Sequence, residues 1–269
     1  MSCRVDVDLK MFTDKQLLVL MHHIIALWGF DESTYTHCSV RQSCDTFWLK
    51  RQGDLFEQVT EERLNLHHLE GHVLFGDANE RNVTGQSVHH ALYQKRSDIN
   101  AIIHLHSPAS VAVSADPRGL MMLSQWALHF YNQVAYHDYQ SLSLHDGDGI
   151  KIADDFGDKQ VCLMRHHGYI VVGRTPAEAL FFVHHLEQAC RAQTLMSEQA
   201  MQQILPDNIC EKTVSDLLSF EQFLGERDMT AYVKLLSQKN LSQQYAILIE
   251  RRLMHENIIC VARSIDYDA

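Results

Sequence analysis

The chain has 269 residues, 46% hydrophobic and 21% charged, enough for one large domain or a domain with an extension. Its formal net charge of -11, with no Lys/Arg cluster to offset it, speaks against nucleic-acid and anionic-membrane binding. Seven scattered cysteines without a Cys-x-x-Cys pair argue against a disulfide framework and a thiolate zinc cluster. The early charges Asp6, Asp8, Lys10, Asp14 and Lys15 leave no secretory signal, and no apolar run is long enough to span a bilayer. A cytoplasmic protein without membrane contact is the expectation.

Thr13-Asp14-Lys15-Gln16 has the spacing of a capping box, and Leu17, Leu20, Met21, Ile24, Ile25 and Trp28 continue at helical intervals to a stop at Gly29. Strands are expected at 38–41, 46–50 and 73–75, with turns at Gly53-Asp54 and Glu70-Gly71 between them. A short helix over 87–96 leads into the apolar run Ala101-Ile102-Ile103-His104-Leu105-His106. Pro108 suits a first helical turn before the small residues of 109–115, and Val134-Ala135-Tyr136 is another brief strand. A helical turn or two at 148–156 precedes a strand at 160–165.

Thr175-Pro176-Ala177-Glu178 predicts a capped helix whose apolar face holds Leu180, Phe181, Val183, Leu186 and Ala189 and which runs to about Gln203. Polar, helix-favouring sequence follows. The division expected is 1–204 as the main domain and 205–269 as a helical extension. Alternating strands and helices imply an α/β domain with helices on both faces, and the short connections require a sheet that is mixed or partly antiparallel.

Side chains two apart on a strand share a face, so His104 and His106 project together while Ile103 and Leu105 face the other way. A buried strand is a costly place for two imidazoles unless they share a metal. Arg165-His166-His167-Gly168, closing the later strand, can supply a third nitrogen, and Gly168 frees the backbone to turn sharply. Three neutral imidazoles with one open position form a catalytic zinc arrangement, with the metal as Lewis acid on a carbonyl or enolate oxygen. With 18 histidines present, isolated ones count for little: His22, His23, His67, His68, His72, His129, His145, His184, His185 and His255 are read as structural or surface groups.

The run from Tyr93 through His104-Leu105-His106 to Ala109 resembles the central signature of the class II aldolase/adducin family. The segment 163–193, with His-His-Gly, Val-Gly-Arg-Thr and Glu-Ala-Leu, resembles its second signature at the matching separation. Thr36-His37-Cys38-Ser39 and Val134-Ala135-Tyr136-His137-Asp138-Tyr139 are similar to the adducin-like bacterial branch, so the likeness covers roughly 10–200. It implies a three-layer α/β/α class II aldolase-like domain around a central mixed or antiparallel sheet. It also implies His104, His106 and His167 as ligands of Zn2+, or of another divalent metal such as Mn2+ or Fe2+, with His166 a neighbour. A homo-oligomer, tetramer or dimer, follows from the same likeness.

The chain departs from the family's sugar-phosphate aldolases. Their acidic residue ahead of His-x-His falls at Gly85, with no carboxylate nearer than Glu80 or Asp77, and glycine cannot move a proton. A tyrosine proton donor would fall near Gln125. The phosphate-binding Gly-Asn and serine-glycine turn are replaced by Thr36-His37 and Gln52-Gly53. These changes disfavour a phosphorylated sugar. They leave a metal-dependent lyase acting beside a carbonyl (aldol cleavage, decarboxylation or epimerisation) on a small non-phosphorylated carbonyl or hydroxy-acid substrate. His89, His137, Tyr136 or Tyr139 are then the groups that move protons; for His89 and Tyr93, four apart on one helix face, packing is the plainer role. The alternative is an adducin-like scaffold with an actin-type partner and a structural metal, although the chain lacks adducin's long basic tail.

Overall fold

A computed structural model of the protein describes residues 7–142 and 146–238; Cys3, His145, His255 and Cys260 lie outside them. The first helix, α1 (Asp14–Trp28), begins as its sequence requires. The Thr13 hydroxyl accepts from the Gln16 amide, and the Gln16 side chain accepts from the Thr13 amide. Gly29 closes it in the left-handed conformation. Leu20, Met21, Ile24 and Ile25 are buried, with Leu17 and Trp28 partly buried beside them.

Eight strands follow one another as β1 (His37–Arg41), β2 (Thr46–Lys50), β3 (Leu64–His68), β4 (Val73–Phe75), β5 (Ala101–Leu105), β6 (Val134–His137), β7 (Val161–Met164) and β8 (Gly168–Gly173). Among the described residues they form one sheet in the order β4-β3-β2-β1-β5-β8-β7-β6. Every pairing is antiparallel except β6 with β7. The mixed sheet expected from the short connections is present. Two strands escape the sequence pattern: β3 because Asn65, His67 and His68 interrupt its apolar residues, and β8 because a three-residue turn joins it directly to β7.

The remaining helices are α2 (Val83–Lys95), α3 (Pro108–Ala115), α4 (Gln125–Leu128), α5 (Asp146–Phe156), α6 (Pro176–Leu195), α7 (Glu198–Met201), α8 (Asp207–Phe220) and α9 (Glu226–Gln238). One face of the sheet packs α1, α3, α6 and α9 over Val40, Ile103, Leu105, Leu163 and Val171. The other packs α2 and α5 over Leu49, Ile102, Cys162, Ile170 and Val172. Each fully buried Leu or Ile in these layers contributes about 1.5–3 kcal/mol relative to exposure.

Two helix ends and one cap depart most from the sequence reading. Helix α2 starts at Val83 rather than near Ser87, because the Asn82 side chain accepts from the Gly85 amide at 2.8 Å and caps the helix a turn earlier. Helix α6 ends at Leu195, and Ser197 caps the separate turn of α7. The Thr175 hydroxyl caps the Glu178 amide, but the Glu178 carboxylate binds Arg174 instead of completing a capping box. Between 207 and 238 the described residues form α8 and α9, and Met229, Val233 and Leu236 of α9 join the main core. Cys38, Cys44, Cys162, Cys190 and Cys210 are free thiols.

Several histidines read as structural are deeply buried. His22 bonds the Leu18 carbonyl, and burial pushes its imidazole down to about 3. Burial likewise lowers His67 to about 4. The unfolded chain therefore binds more protons than the folded one between these values and the ordinary 6.5, and stability falls as pH drops through that window. Each such imidazole contributes a slope of up to about 1.4 kcal/mol per pH unit. Denaturant midpoints of the metal-free protein should decline steadily below about pH 6.5, and a profile flat to pH 5 contradicts this burial.

Candidate metal centre

Strand β5 lies between β1 and β8, and its alternation sends Ile103 and Leu105 into the α1/α6 layer and His104 to the α2/α5 side. The strand stops after Leu105 because Ser107 and Pro108 start α3, with the Ser107 hydroxyl accepting from the Ser110 amide. His106 stands at that change of direction. Between β7 and β8, Arg165, His166 and His167 make a tight turn with His166 at φ 60°, a conformation that costs about 1 kcal/mol for a residue with a side chain. This turn abuts the end of β5. A Cβ on Gly168 would lie 2.4 Å from the Leu105 carbonyl oxygen and 2.9 Å from His106 Cδ2, so only glycine permits the approach.

The result is a triangle of imidazoles. Ring centroids are 4.4 Å apart for His104–His106, 4.6 Å for His106–His167 and 5.0 Å for His104–His167. One nitrogen from each lies within 4.8 Å of the others, a spacing a single metal ion can bridge. The outer nitrogens decide what the inner ones offer. His104 Nδ1–H donates to the Tyr169 carbonyl at 2.8 Å, and His106 Nδ1–H donates to the Glu32 carboxylate at 2.7 Å. In the neutral rings both Nε2 atoms are then unprotonated, and they face each other at 2.7 Å. At that distance the two lone pairs are bridged by a proton, and a tetrahedral zinc ion bonded to both would hold them about 3.3 Å apart, a small opening of the same pair.

Burial first, and then the neighbouring imidazoles, hold His104 well below the usual imidazole range and bring His167 to about 4. Both are thus uncharged near neutrality, the form that binds metal. The Tyr169 side chain reaches the opposite way, its hydroxyl donating to Glu187 of α6 at 2.8 Å, and Ser107 donates to the same carboxylate at 2.6 Å.

A cavity of about 360 Å³ opens over the triangle, lined among others by Tyr35, His37, Gln52, Arg81, Thr84 and Leu142. Among the described residues no Asp or Glu lines it. The acid/base candidates separate here. His137, held by Asp155 at 2.7 Å, borders a small adjoining depression with His167 and Tyr139. His89 is fully buried and meets the cavity only through His37, whose Nδ1 lies 2.8 Å from His89 Nε2. Tyr136 is not brought to the centre. Strand alternation turns it to the α6 layer, where its hydroxyl accepts from the Leu120 amide and its ring carries Arg165. His166 is exposed. Glu32 was not anticipated, and His37, noted only as replacing a phosphate-binding residue, meets the centre through tertiary pairing: β1 sets it opposite His104.

The family model for the class II aldolase and adducin N-terminal domain matches residues 16–194. The chain belongs to this family. It is 34% identical over 180 residues to a Caulobacter vibrioides protein named for aldolase class 2 with no reaction in the name, covering 66% of this chain and 70% of that one. It is 32% identical over 199 residues to rat (Rattus norvegicus) alpha-adducin, covering 71% of this chain but 26% of the adducin. Among solved structures, an aldolase II superfamily protein from Pseudomonas syringae superposes with a TM-score of 0.75 at 26% identity, covering 85% and 93% of the two chains. L-fuculose 1-phosphate aldolase from Glaciozyma antarctica gives 0.72 at 26% identity, covering 84% and 89%.

Against the family's sugar-phosphate aldolases, the missing acid is not restored from nearby sequence. Gly85 is buried in the first turn of α2, Glu80 pairs with Arg51 and Arg63, and Asp77 caps the Asn79 amide. The glycine beside the triangle gives a direct check on the geometry. Gly168→Ala should destabilise the fold by about 1–3 kcal/mol, because the new methyl meets backbone rather than a movable side chain. Urea titration measures it; an unchanged midpoint would mean that the turn does not seat against β5.

Proposed function

We propose that the protein is a metal-dependent lyase-type enzyme acting beside a carbonyl group, by aldol cleavage, decarboxylation or epimerisation. Its substrate is a small, non-phosphorylated carbonyl or hydroxy-acid compound. One observation carries this reading: the Nε2 atoms of His104 and His106, each with its other nitrogen committed to an acceptor, oppose each other at 2.7 Å with His167 alongside. That donor set suits zinc, and also manganese or iron(II), with a position left open toward the cavity. A divalent cation held there supplies Lewis-acid stabilisation to a carbonyl or enolate oxygen.

The chain's own residues do the remaining work. Arg81, at the cavity mouth and without an ion-pair partner among the described residues, orients a substrate carboxylate. Leu142, Met164 and Ile170 line the wall and limit water. His137, aligned by Asp155, and Tyr139, whose ring centroid lies 6.3 Å from that of His167, are the groups placed to move protons. The active form is a homo-oligomer. No described helix is long and apolar enough to cross a membrane.

The test is metal analysis of protein purified without added metal and then reconstituted. About one equivalent per chain is expected, lost in His104→Ala and His106→Ala; no uptake, or unchanged uptake in both variants, overturns the reading. Glu32→Gln should weaken zinc about 10–100-fold by loosening the His106 ring, measured by chelator competition. Turnover is then sought on hydroxy-ketones, hydroxy-acids and keto-acids. The likeness to alpha-adducin favours a second reading, a scaffold in which the same metal is structural; stoichiometric metal with no turnover on any of these supports it.

A further inference from the structure

Behind the cavity wall runs a buried chain of hydrogen bonds. His37 Nδ1 lies 2.8 Å from His89 Nε2, His89 Nδ1 meets the Ser39 hydroxyl, and Ser39 Oγ is 3.0 Å from the Tyr93 hydroxyl. The Tyr93 hydroxyl reaches the Asn100 carbonyl at 3.4 Å. His37, His89, Ser39 and Tyr93 are all buried, and α2 supplies His89 and Tyr93 while β1 supplies His37 and Ser39.

A backbone carbonyl can only accept, and this sets a direction for the whole chain. Tyr93 donates to Asn100, so Ser39 donates to Tyr93. His89 Nδ1–H then donates to Ser39, which leaves His89 Nε2 as an acceptor. His37 Nδ1–H donates to it, and the neutral His37 ring presents Nε2 to the cavity as a bare lone pair. Position 85 makes room for that ring: a Cβ on Gly85 would lie 3.1 Å from His37 Cγ and 3.0 Å from the Asn82 side-chain oxygen. Gly85 and the His37 imidazole therefore belong together.

We propose that His37 is a specificity-determining residue, a hydrogen-bond acceptor of fixed direction that selects substrates carrying a hydroxyl hydrogen beside the group held at the metal centre. The hydroxyl contact rests on the metal-dependent reading above, whereas the direction of the chain does not. An acceptor without a proton of its own rejects an ether or a second carbonyl at the same place, because neither can complete the bond.

The direction is read from the ring 15N shifts of His37 in metal-free, histidine-labelled protein, assigned by the signals lost in His37→Phe. The expected form is Nδ1–H. Tyr93→Phe, which removes the donor to Asn100, should move the population toward Nε2–H, and Ser39→Ala, which cuts the chain, should do the same. A wild-type ring already in the Nε2–H form, or variants that leave the tautomer unchanged, overturns the assignment. Because these spectra need no metal, a failure of zinc uptake is distinguishable from a failure of the hydrogen-bond chain.

The contact itself is tested on zinc-loaded protein by calorimetry with glycolate and methoxyacetate, which differ at the hydroxyl hydrogen. Glycolate should bind at least about tenfold more tightly, the equivalent of one good hydrogen bond, and His37→Phe should bring the two within about twofold. Equal affinities in the wild type, no binding of either, or a preference that survives in His37→Phe each overturns the hydroxyl contact.

Discussion

Two imidazoles whose unprotonated nitrogens point at one another cannot rest in a folded protein without something positive between them. Everything around His104 and His106 is arranged to enforce that opposition. The Tyr169 carbonyl and the Glu32 carboxylate each take the outer proton, so neither ring escapes by switching tautomer. Burial among further imidazoles disfavours an extra proton on His104. The antiparallel sheet then delivers the third ring, because β5 ends and β8 begins at the same edge and the turn before β8 carries His167.

This constraint explains the distribution of small residues and turns near the centre. Gly168 allows the β7–β8 turn to touch the end of β5, and His166 accepts an unfavourable backbone conformation to aim its neighbour inward. Proline at 108 prevents β5 from continuing, so His106 is released from strand geometry and can lean toward His104. The His166 conformation is unfavourable for its own turn and makes sense only in the assembled centre.

Much of this was legible beforehand. Alternation along 101–106 placed both imidazoles on one side and the isoleucine and leucine on the other, and Thr13 and Thr175 announced their helices. The family signatures singled out His167 from its neighbour His166, which spacing alone left undecided. What stayed hidden depended on pairing between distant segments. Glu32 and His106 are 74 residues apart and His37 reaches His89 across 52, so no local pattern links them. For His89, which shares a helix face with Tyr93, packing is the plainer expectation. That face turns inward, and His89 acts on the cavity only through the ring in front of it. Tyr136 faces the α6 layer, one step along β6 from His137, and one step is the distance that sends a side chain to the opposite layer.

Tyr169 links the two faces of the sheet. Its main chain steadies one imidazole on the near side, while its phenol is anchored to a helix on the far side through a carboxylate that also grips the start of α3. The α6 layer and the His104 ring thus share one support, and the angle of that ring is set from both faces of the sheet.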